Sequence, residues 1–437
     1  MTDERGDDMS EEQMATGQGR GGNLSSISYQ LSSNLYWITC AVSLGGLLFG
    51  FDTGVISGCE EAIQNEFALA PFWHGLVVAG ALIGTVFGAL AAGRMCDRLG
   101  RKPTLVWMGV LFLVSAAGCA LTPGGVIGPH VLGWMRFIGG IAIGGVSVAV
   151  PMYIAEIAPP EKRGRLVLVN HFCIVLGIVV SYASNYCVAR WLPASAAVVW
   201  RAMLGAECLP VLMYLAALWK VPESPHQAKV EASAPLFVRR NLRPILLCFT
   251  VAFFSQLSGV NAVNYYAPRI FKMIFGEGSE LVSLAGTIGV GVVNLVFTVL
   301  AFFLIDLFGR RPLLISGCAS MAAMHGLVAW QISLGEACTP WLAMVGVYGF
   351  IAAVAFSASA VIWVFISEIF PPDVRAKGQS FGGMVHWVMC MFVSWLFPVA
   401  VAHTGTYALA FFAAMMLLEM VWAIFLMPET KGKAIVG

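Results

Sequence analysis

Twelve apolar runs, each long enough to cross a bilayer, alternate with short polar separators along this 437-residue chain. They lie near 36–58, 72–95, 103–122, 131–154, 166–190 and 200–221. After a polar stretch, six more follow near 243–270, 281–305, 312–334, 341–368, 378–402 and 405–427. A hydrocarbon core takes roughly 17–25 residues of helix. Backbone that faces lipid must satisfy its own hydrogen bonds, so each run is expected to be helical. A barrel would instead show alternating segments of about ten residues, and these runs do not alternate. The predicted fold class is an all-α integral membrane protein with twelve transmembrane helices.

The separators repeat. YIAEIAPPEKRG (153–164) and FISEIFPPDVRA (365–376) agree at six of twelve positions, at an offset of 212 residues. DRLGRKP (97–103) recurs as DLFGRRP (306–312) at an offset of 209, and VPES (221–224) recurs as MPET (427–430) at 206. Three motif pairs in the same order, at nearly one offset, point to a six-helix unit duplicated in parallel. Such a repeat builds two pseudo-symmetric bundles, related by an axis along the membrane normal, with a central site between them. The expected division is an N-terminal bundle over 33–222, a short linker over 223–242, a C-terminal bundle over 243–428 and a tail over 429–437.

Composition agrees with lipid as the solvent. Apolar residues make up 59% and charged residues 11%, against roughly 45–50% and about 25% in soluble chains. The net charge of +1 gives no reason to expect nucleic acid as a partner. Eleven cysteines without a CxxC pair offer no metal or disulfide framework, and no cofactor is expected. Residues 1–32, acidic and rich in Gly and Ser, lack the basic start and apolar core of a secretory signal. They are expected to form a disordered cytoplasmic arm. With the N-terminus inside, twenty of the twenty-five Lys and Arg residues fall on cytoplasmic segments. The plasma membrane, with both termini cytoplasmic, is the expected location.

The motifs also resemble a known family. GRMCDRLGRK (93–102) is similar to the GRxxDRxGRR signature of the major facilitator superfamily, and PMYIAEIAPPEKRG (151–164) to the PxYxxExxPxxxRG signature of its sugar porter family. RFIGGIAIG (136–144), VPESP (221–225), QLSGVNAVNYYAP (256–268) and MPETKGK (427–433) fit the same family, whose proton-coupled members include bacterial xylose–proton symporters. The resemblance covers the chain apart from the arm and the central linker. It implies the major facilitator fold and a monomer that carries a small neutral sugar together with a proton.

Ionisable groups inside a span are costly and usually functional. Asp52 lies 16 residues after the start of the first run, or ~24 Å along a helix. Counted inward from the outer ends of their runs, Arg136 and Glu207 reach a similar depth. Two readings fit: a structural pair near the outer interface, and a proton site. In the second, the opposing effects of Arg136 and desolvation on Asp52 let the group gain a proton on one side and lose it on the other. That would shift the preferred conformation. The resemblance adds that proton-driven sugar porters carry aspartate here, where facilitative glucose carriers typically carry asparagine.

By motif matching, the resemblance implies a sugar site of Gln256, Asn261, Asn294, Trp363 and Trp387 with Phe49, and an outer gate of Tyr265 and Tyr266. The chain departs from the pattern at His171 and Ser255, where glutamines are usual. It departs again at His386 and Cys390, where polar amides are frequent. His171 and His386 are retained as candidate sugar ligands, and the pocket is expected to offer fewer hydrogen bonds than a typical hexose site.

On the cytoplasmic side the family pattern implies an inner gate of Glu156, Arg163, Arg94, Asp97, Arg98, Arg101 and Glu223 in the first half. Its second-half members are Glu368, Arg375, Asp306, Arg310, Arg311 and Glu429. These are expected to bridge the two halves while the inner side is closed and to part when it opens. The family's cytoplasmic helical bundle is missing or vestigial, since 17 residues separate Pro225 from Arg243. Inward-facing states should therefore be favoured. A facilitative sugar or polyol carrier and a non-transporting sugar sensor are the alternatives. No GxSxG, HExxH or metal-ligand cluster suggests an enzyme, and only seven residues follow Thr430 where a sensor would usually add a signalling tail.

Overall fold

The computed structural model describes residues 35–431 apart from 160, 225–234, 277, 372 and 405–406. The expected arm, the centre of the linker and the end of the tail lie outside the described residues. All twelve expected spans are present among those described. They are α1 (Leu35–Gly58), α2 (Pro71–Leu99), α3 (Arg101–Ala120), α4 (Gly128–Ile157), α5 (Arg163–Trp191) and α6 (Ala196–Trp219) in the first half. The second half has α7 (Arg239–Phe275), α8 (Glu280–Ile305), α9 (Arg310–Ser333), α10 (Pro340–Ile369), α11 (Arg375–Thr404) and α12 (Tyr407–Phe425). No strand occurs among the described residues.

Three spans are broken where the sequence suggested continuous helix. α6 is interrupted at Ala206–Glu207, α7 at Ser258–Gly259 and α10 at Ser357. Gly259 takes φ +79°, a backbone geometry that disfavours side chains. Each break frees backbone groups at membrane depth, which is tolerated where neighbouring helices or a cavity surround it.

Small residues set the helix spacing. Without a hydrophobic drive between helices in lipid, close backbone approach supplies the packing energy. In α1, Gly46, Gly50, Gly54 and Gly58 recur every four residues and face α5. A Cβ on Gly50 would lie 1.8 Å from the carbonyl oxygen of Ile174, and one on Gly54 would lie 2.0 Å from Ser181 Oγ. Between α2 and α4 the same device recurs: a Cβ on Gly140 would meet the Ala81 carbonyl at 1.9 Å, and one on Gly144 the Thr85 carbonyl at 2.2 Å. Gly140 and Gly144 thus stand in a GxxxG spacing that serves close helix approach.

The two halves repeat each other's contacts. α1 packs on α5 as α7 packs on α11, α2 on α4 as α8 on α10, and α3 on α6 as α9 on α12. Across the halves, α2 meets α11 and α8 meets α5, again a reciprocal pair. The buried apolar side chains are distributed unevenly. One cluster joins both halves at the end remote from the arginine motifs, including Val55, Ile56, Tyr182, Tyr265 and Phe271, and in the second half alone it continues to Leu313, Phe370 and Met427. At the arginine-rich end the first half has a separate core of its own, around Leu105, Val150, Tyr153 and Tyr214. The halves are welded at one end and separately cored at the other.

Candidate functional site

The glycine stripe of α1 fixes where its one acid points. Asp52 lies two residues past Gly50, or about 200° around the helix, so it faces away from α5 and toward α4. There Arg136 Nη1 donates to Asp52 Oδ1 at 2.5 Å, with the two side chains 1% and 2% exposed. Glu207, placed at the break in α6 and also buried, faces the same pair. Arg136 Nε and Nη2, Asp52 Oδ2 and Glu207 Oε1 have no hydrogen-bond partner among the described residues. Two carboxyls and one guanidinium carry a net charge of −1 with both acids ionised, and become neutral when one proton is held. A dry site strongly prefers the neutral count.

Toward the middle of the second half, the break in α7 brings two amides together. Gln256 and Asn261 are five residues apart and would diverge by about 140° on an unbroken helix. Here Asn261 Nδ2 donates to Gln256 Oε1 at 2.6 Å, and Gln256 Nε2 lies 3.0 Å from His386 Nδ1. His386 in turn sits 4.9 Å from the Trp363 ring and 5.3 Å, edge-on, from Trp387. Phe49 of α1 reaches across to Trp387 at 5.6 Å, so aromatic faces from both halves meet beside the amides. Asn294 has no hydrogen bond to this group among the described residues; its side-chain oxygen accepts from Thr298 Oγ1 at 3.4 Å on its own helix. The His171 ring lies 6.2 Å from that of Phe302 in the second half and has no ring contact with this group among the described residues. Ser255 spends its hydroxyl on the Ala252 carbonyl at 3.0 Å, and Cys390 is buried.

At the arginine-rich end the duplicated motifs fold into one corner built twice. Gly100 (φ +99°) and Gly309 (φ +89°) end α2 and α8 and let the chain turn directly into α3 and α9. The exposed N–H groups that begin those helices are natural anion sites. Glu223 takes the first, accepting from the backbone N–H of Arg101 at 2.8 Å and of Lys102 at 3.1 Å. Glu429 takes the second, accepting from Arg310 at 3.1 Å and Arg311 at 3.0 Å. Burial works against ionising Glu429, but N–H groups of Lys431, Arg310, Arg311 and Thr430 outweigh it and hold the carboxyl below its usual range. Each arginine then reaches the glutamate of the other motif: Arg101 to Glu156 at 2.8 Å, Arg310 to Glu368 at 2.8 Å. Ser224 hydrogen-bonds to Glu156, as Thr430 does to Glu368.

These pairs lie within each half, and none of them bridges the halves in this conformation. The glutamate ends α4 or α10 next to the first turn of α3 or α9 in the same bundle, so its own half supplies the nearest arginine. Asp97 follows the same rule, lying 3.6 Å from Arg101 across the Gly100 turn. Arg94, Arg98, Arg163 and Arg375 form no ion pair among the described residues, and Arg311 donates to carbonyls of Ala423 and Ile424. The Asp306 side chain lies outside what is described.

Ionic contacts between the halves occur at the opposite end. Beyond α1, a short helix (Glu60–Glu66) presents acids to the outer part of α7. Arg269 donates to Glu60 through Nη2 at 2.7 Å and Nε at 3.1 Å, and Lys272 Nζ lies 2.7 Å from Glu61. Tyr265 and Tyr266 are buried just behind, and Tyr266 departs from helical geometry and donates to the Ser394 carbonyl of α11 at 3.2 Å.

A family model described as "Sugar (and other) transporter" matches residues 38–228 and 226–436. The chain belongs to this sugar transporter family. Its relatives include the D-xylose-proton symporter of Escherichia coli K12, 35% identical over 92% of this chain and 95% of that one. The arabinose-proton symporter of Bacillus subtilis is 32% identical over 91% of this chain and 93% of that one. The partially occluded inward-open structure of the E. coli xylose transporter XylE superposes with a TM-score of 0.80 at 33% identity, covering 92% of this chain and 100% of that one. This sugar transporter thus has the major facilitator fold, with twelve membrane-spanning helices in two pseudo-symmetric bundles.

Within the sugar transporter frame, sequence depth counting put Asp52, Arg136 and Glu207 at one level, and the structure brings them together. Gln256, Asn261, Trp363, Trp387, Phe49 and His386 also assemble, without Asn294 or His171. The Glu60–Arg269 contact escaped sequence reasoning. Its available signal was a pair of adjacent acids just beyond α1 and two cations spaced i, i+3 near the end of α7, which share a helix face.

Proposed function

We propose that the protein is a proton-coupled symporter of a monosaccharide that works by alternating access. The observation that carries this reading is the buried trio of Asp52, Arg136 and Glu207, which has one more acid than base. Water that reaches the trio during the cycle permits the −1 count. Closing dehydrates it and demands a proton. A sugar held between the amides of α7 and the aromatic faces of Phe49, Trp363 and Trp387 then crosses with that proton. The relatives named as xylose–proton and arabinose–proton symporters support the same reading.

The arginine-rich end faces the cytoplasm, by the distribution of Lys and Arg, and the protein resides in the plasma membrane as a monomer. The conformation described here is inward-facing: ionic contacts between the halves lie at the outer end, and each half is separately cored at the inner end. Arg163 and Arg375 take partners across the halves when the inner side closes. Purified protein in liposomes, offered xylose, arabinose, glucose and polyols with and without an imposed pH gradient, tests the proposal. Symport requires accumulation that depends on an acidic outside. Equilibration unaffected by the gradient would mean a facilitative carrier, and binding without uptake would mean a sensor.

A further inference from the structure

We propose that Glu60 is the keystone of an ionic latch that holds the two halves shut on the outer side and sets how often that side opens. The inference rests on the alternating-access reading, and it assigns a positioning role in the transport cycle to residues outside both the proton trio and the sugar cluster.

The latch is built from three separate stretches of chain. The short helix beyond α1 carries Glu60 and Gln64 on one face, since positions i and i+4 align, with Glu61 beside that face. From the second half, Arg269 clamps Glu60 with two hydrogen bonds, at 2.7 and 3.1 Å, and spends Nη2 also on Gln64 Oε1 at 2.7 Å. From α2, His74 Nε2 lies 2.9 Å from Glu60 Oε2. Glu60 is 1% exposed and His74 is fully buried, whereas Arg269 is 22% exposed. The forked guanidinium–carboxylate geometry is the strong form of this contact.

The groups facing Glu60 are His74 from α2, Arg269 and Tyr266 from α7, and Cys59 beside it in the chain. His74 also lies 6.2 Å from the Tyr266 ring, and its Nδ1 has no partner among the described residues. Lys272, three residues beyond Arg269, binds Glu61 and lies 3.6 Å from Glu280. His74 ties Glu60 to the first half. When the outer side opens, the contact that parts is therefore the one with Arg269.

The asymmetry of the molecule gives the latch its leverage. At the inner end, the ion pairs of Arg101 and Arg310 lie within a half and so do not hold the two halves together. The Glu60 contacts exist only while the outer side is closed. A ligand or contact shifts a two-state equilibrium only through its differential interaction with the two states, and this contact is differential by construction. The tyrosines behind it pack in both arms of the kinked α7, and they gain their buried setting from the closure that the latch maintains.

Hydrogen–deuterium exchange of the full-length purified protein tests this without requiring transport. Glu60→Gln and Arg269→Gln are each expected to accelerate exchange in peptides covering 60–66 and 260–275 by about fivefold or more, with peptides around Arg101 and Arg310 unchanged. The exchanged pair Glu60→Arg with Arg269→Glu is expected to return both outer peptides toward the wild-type rate. Unchanged outer peptides in the single variants, or a double variant no slower than either single one, would overturn the proposal. Should the glutamine variants fail to fold, Arg269→Lys keeps the charge and loses the fork. It is expected to accelerate the same peptides to a lesser degree, and no acceleration there would again overturn it. Because exchange needs neither sugar nor proton gradient, a failure of the symport reading in liposomes leaves this outcome separately readable.

Discussion

Replacing Asp52 with asparagine removes one charge from the buried trio while nearly preserving volume. In the native protein, Asp52, Glu207 and Arg136 sum to −1 with both acids ionised and to zero with one proton held. An uncompensated buried charge costs several kcal/mol, so the closed form that passes between the two open states is the neutral one. One proton therefore moves per cycle. Across a pH difference of one unit, that proton releases about 1.4 kcal/mol, enough to sustain about a tenfold concentration ratio of sugar. In the Asp52→Asn variant, Arg136 and Glu207 are neutral together without an exchangeable proton. The expected accumulation ratio falls to about one at any gradient, while exchange of labelled sugar across the membrane continues. Proteoliposomes with the membrane potential clamped and the pH stepped across the bilayer measure both quantities. Gradient-driven accumulation surviving in Asp52→Asn would refute the charge count. So would a native ratio near a hundredfold per pH unit, which requires two protons.

Other substitutions test the scaffold and the pocket. Gly140→Leu forces a side chain against the Ala81 carbonyl, which lies 1.9 Å from where even a Cβ would sit, and should cost about 3 kcal/mol or more. Gly93→Leu, with nothing within 4 Å of its Cβ, should leave thermal unfolding in detergent unchanged. Glu156→Gln and Glu368→Gln each weaken a charge-assisted contact in equivalent corners. Thermal or denaturant unfolding should report losses of about 1.5–3 kcal/mol, similar in the two halves. His386→Gln restores a longer amide beside Gln256 and should tighten sugar binding about two- to tenfold, the worth of one added neutral hydrogen bond, as read by calorimetry.

Hydropathy made the spans legible because lipid tolerates few polar residues, and a rise of about 1.5 Å per residue made the shared depth of Asp52 and Arg136 legible too. The inner corners show where such reasoning stops. The repeat revealed Glu156 and Glu368 as equivalents, but whether each meets an arginine of its own half or of the other depends on how helix ends lie in space. Charge distribution along the chain locates the side of the membrane and not the partner. The breaks in α6, α7 and α10 were hidden for a different reason. Glu207, Ser258 and Ser357 sit in apolar surroundings whose hydropathy is that of an unbroken span, and only Gly259 hints at a turn. Without the α7 break, Gln256 and Asn261 read as two ligands pointing apart. The outer contact of Glu60 with Arg269 joins positions 209 residues apart, the first in a segment that hydropathy assigns to a connection and the second at the edge of a span.

Because Gly50 meets the Ile174 backbone and Gly46, Gly54 and Gly58 leave room only for the short side chains of Asn170, Ser181 and Asn185, little slack lies between α1 and α5 to absorb a shift. The two helices act as a single lever. Any rotation of α1 that follows a change of charge at Asp52 is handed on undamped to α5, where His171 touches Phe302 and the Tyr182 hydroxyl donates to the Asn264 carbonyl at 2.9 Å. Both of those partners belong to the second half. A proton arriving in one bundle is thereby felt as torque in the other, through gearing whose teeth are glycines.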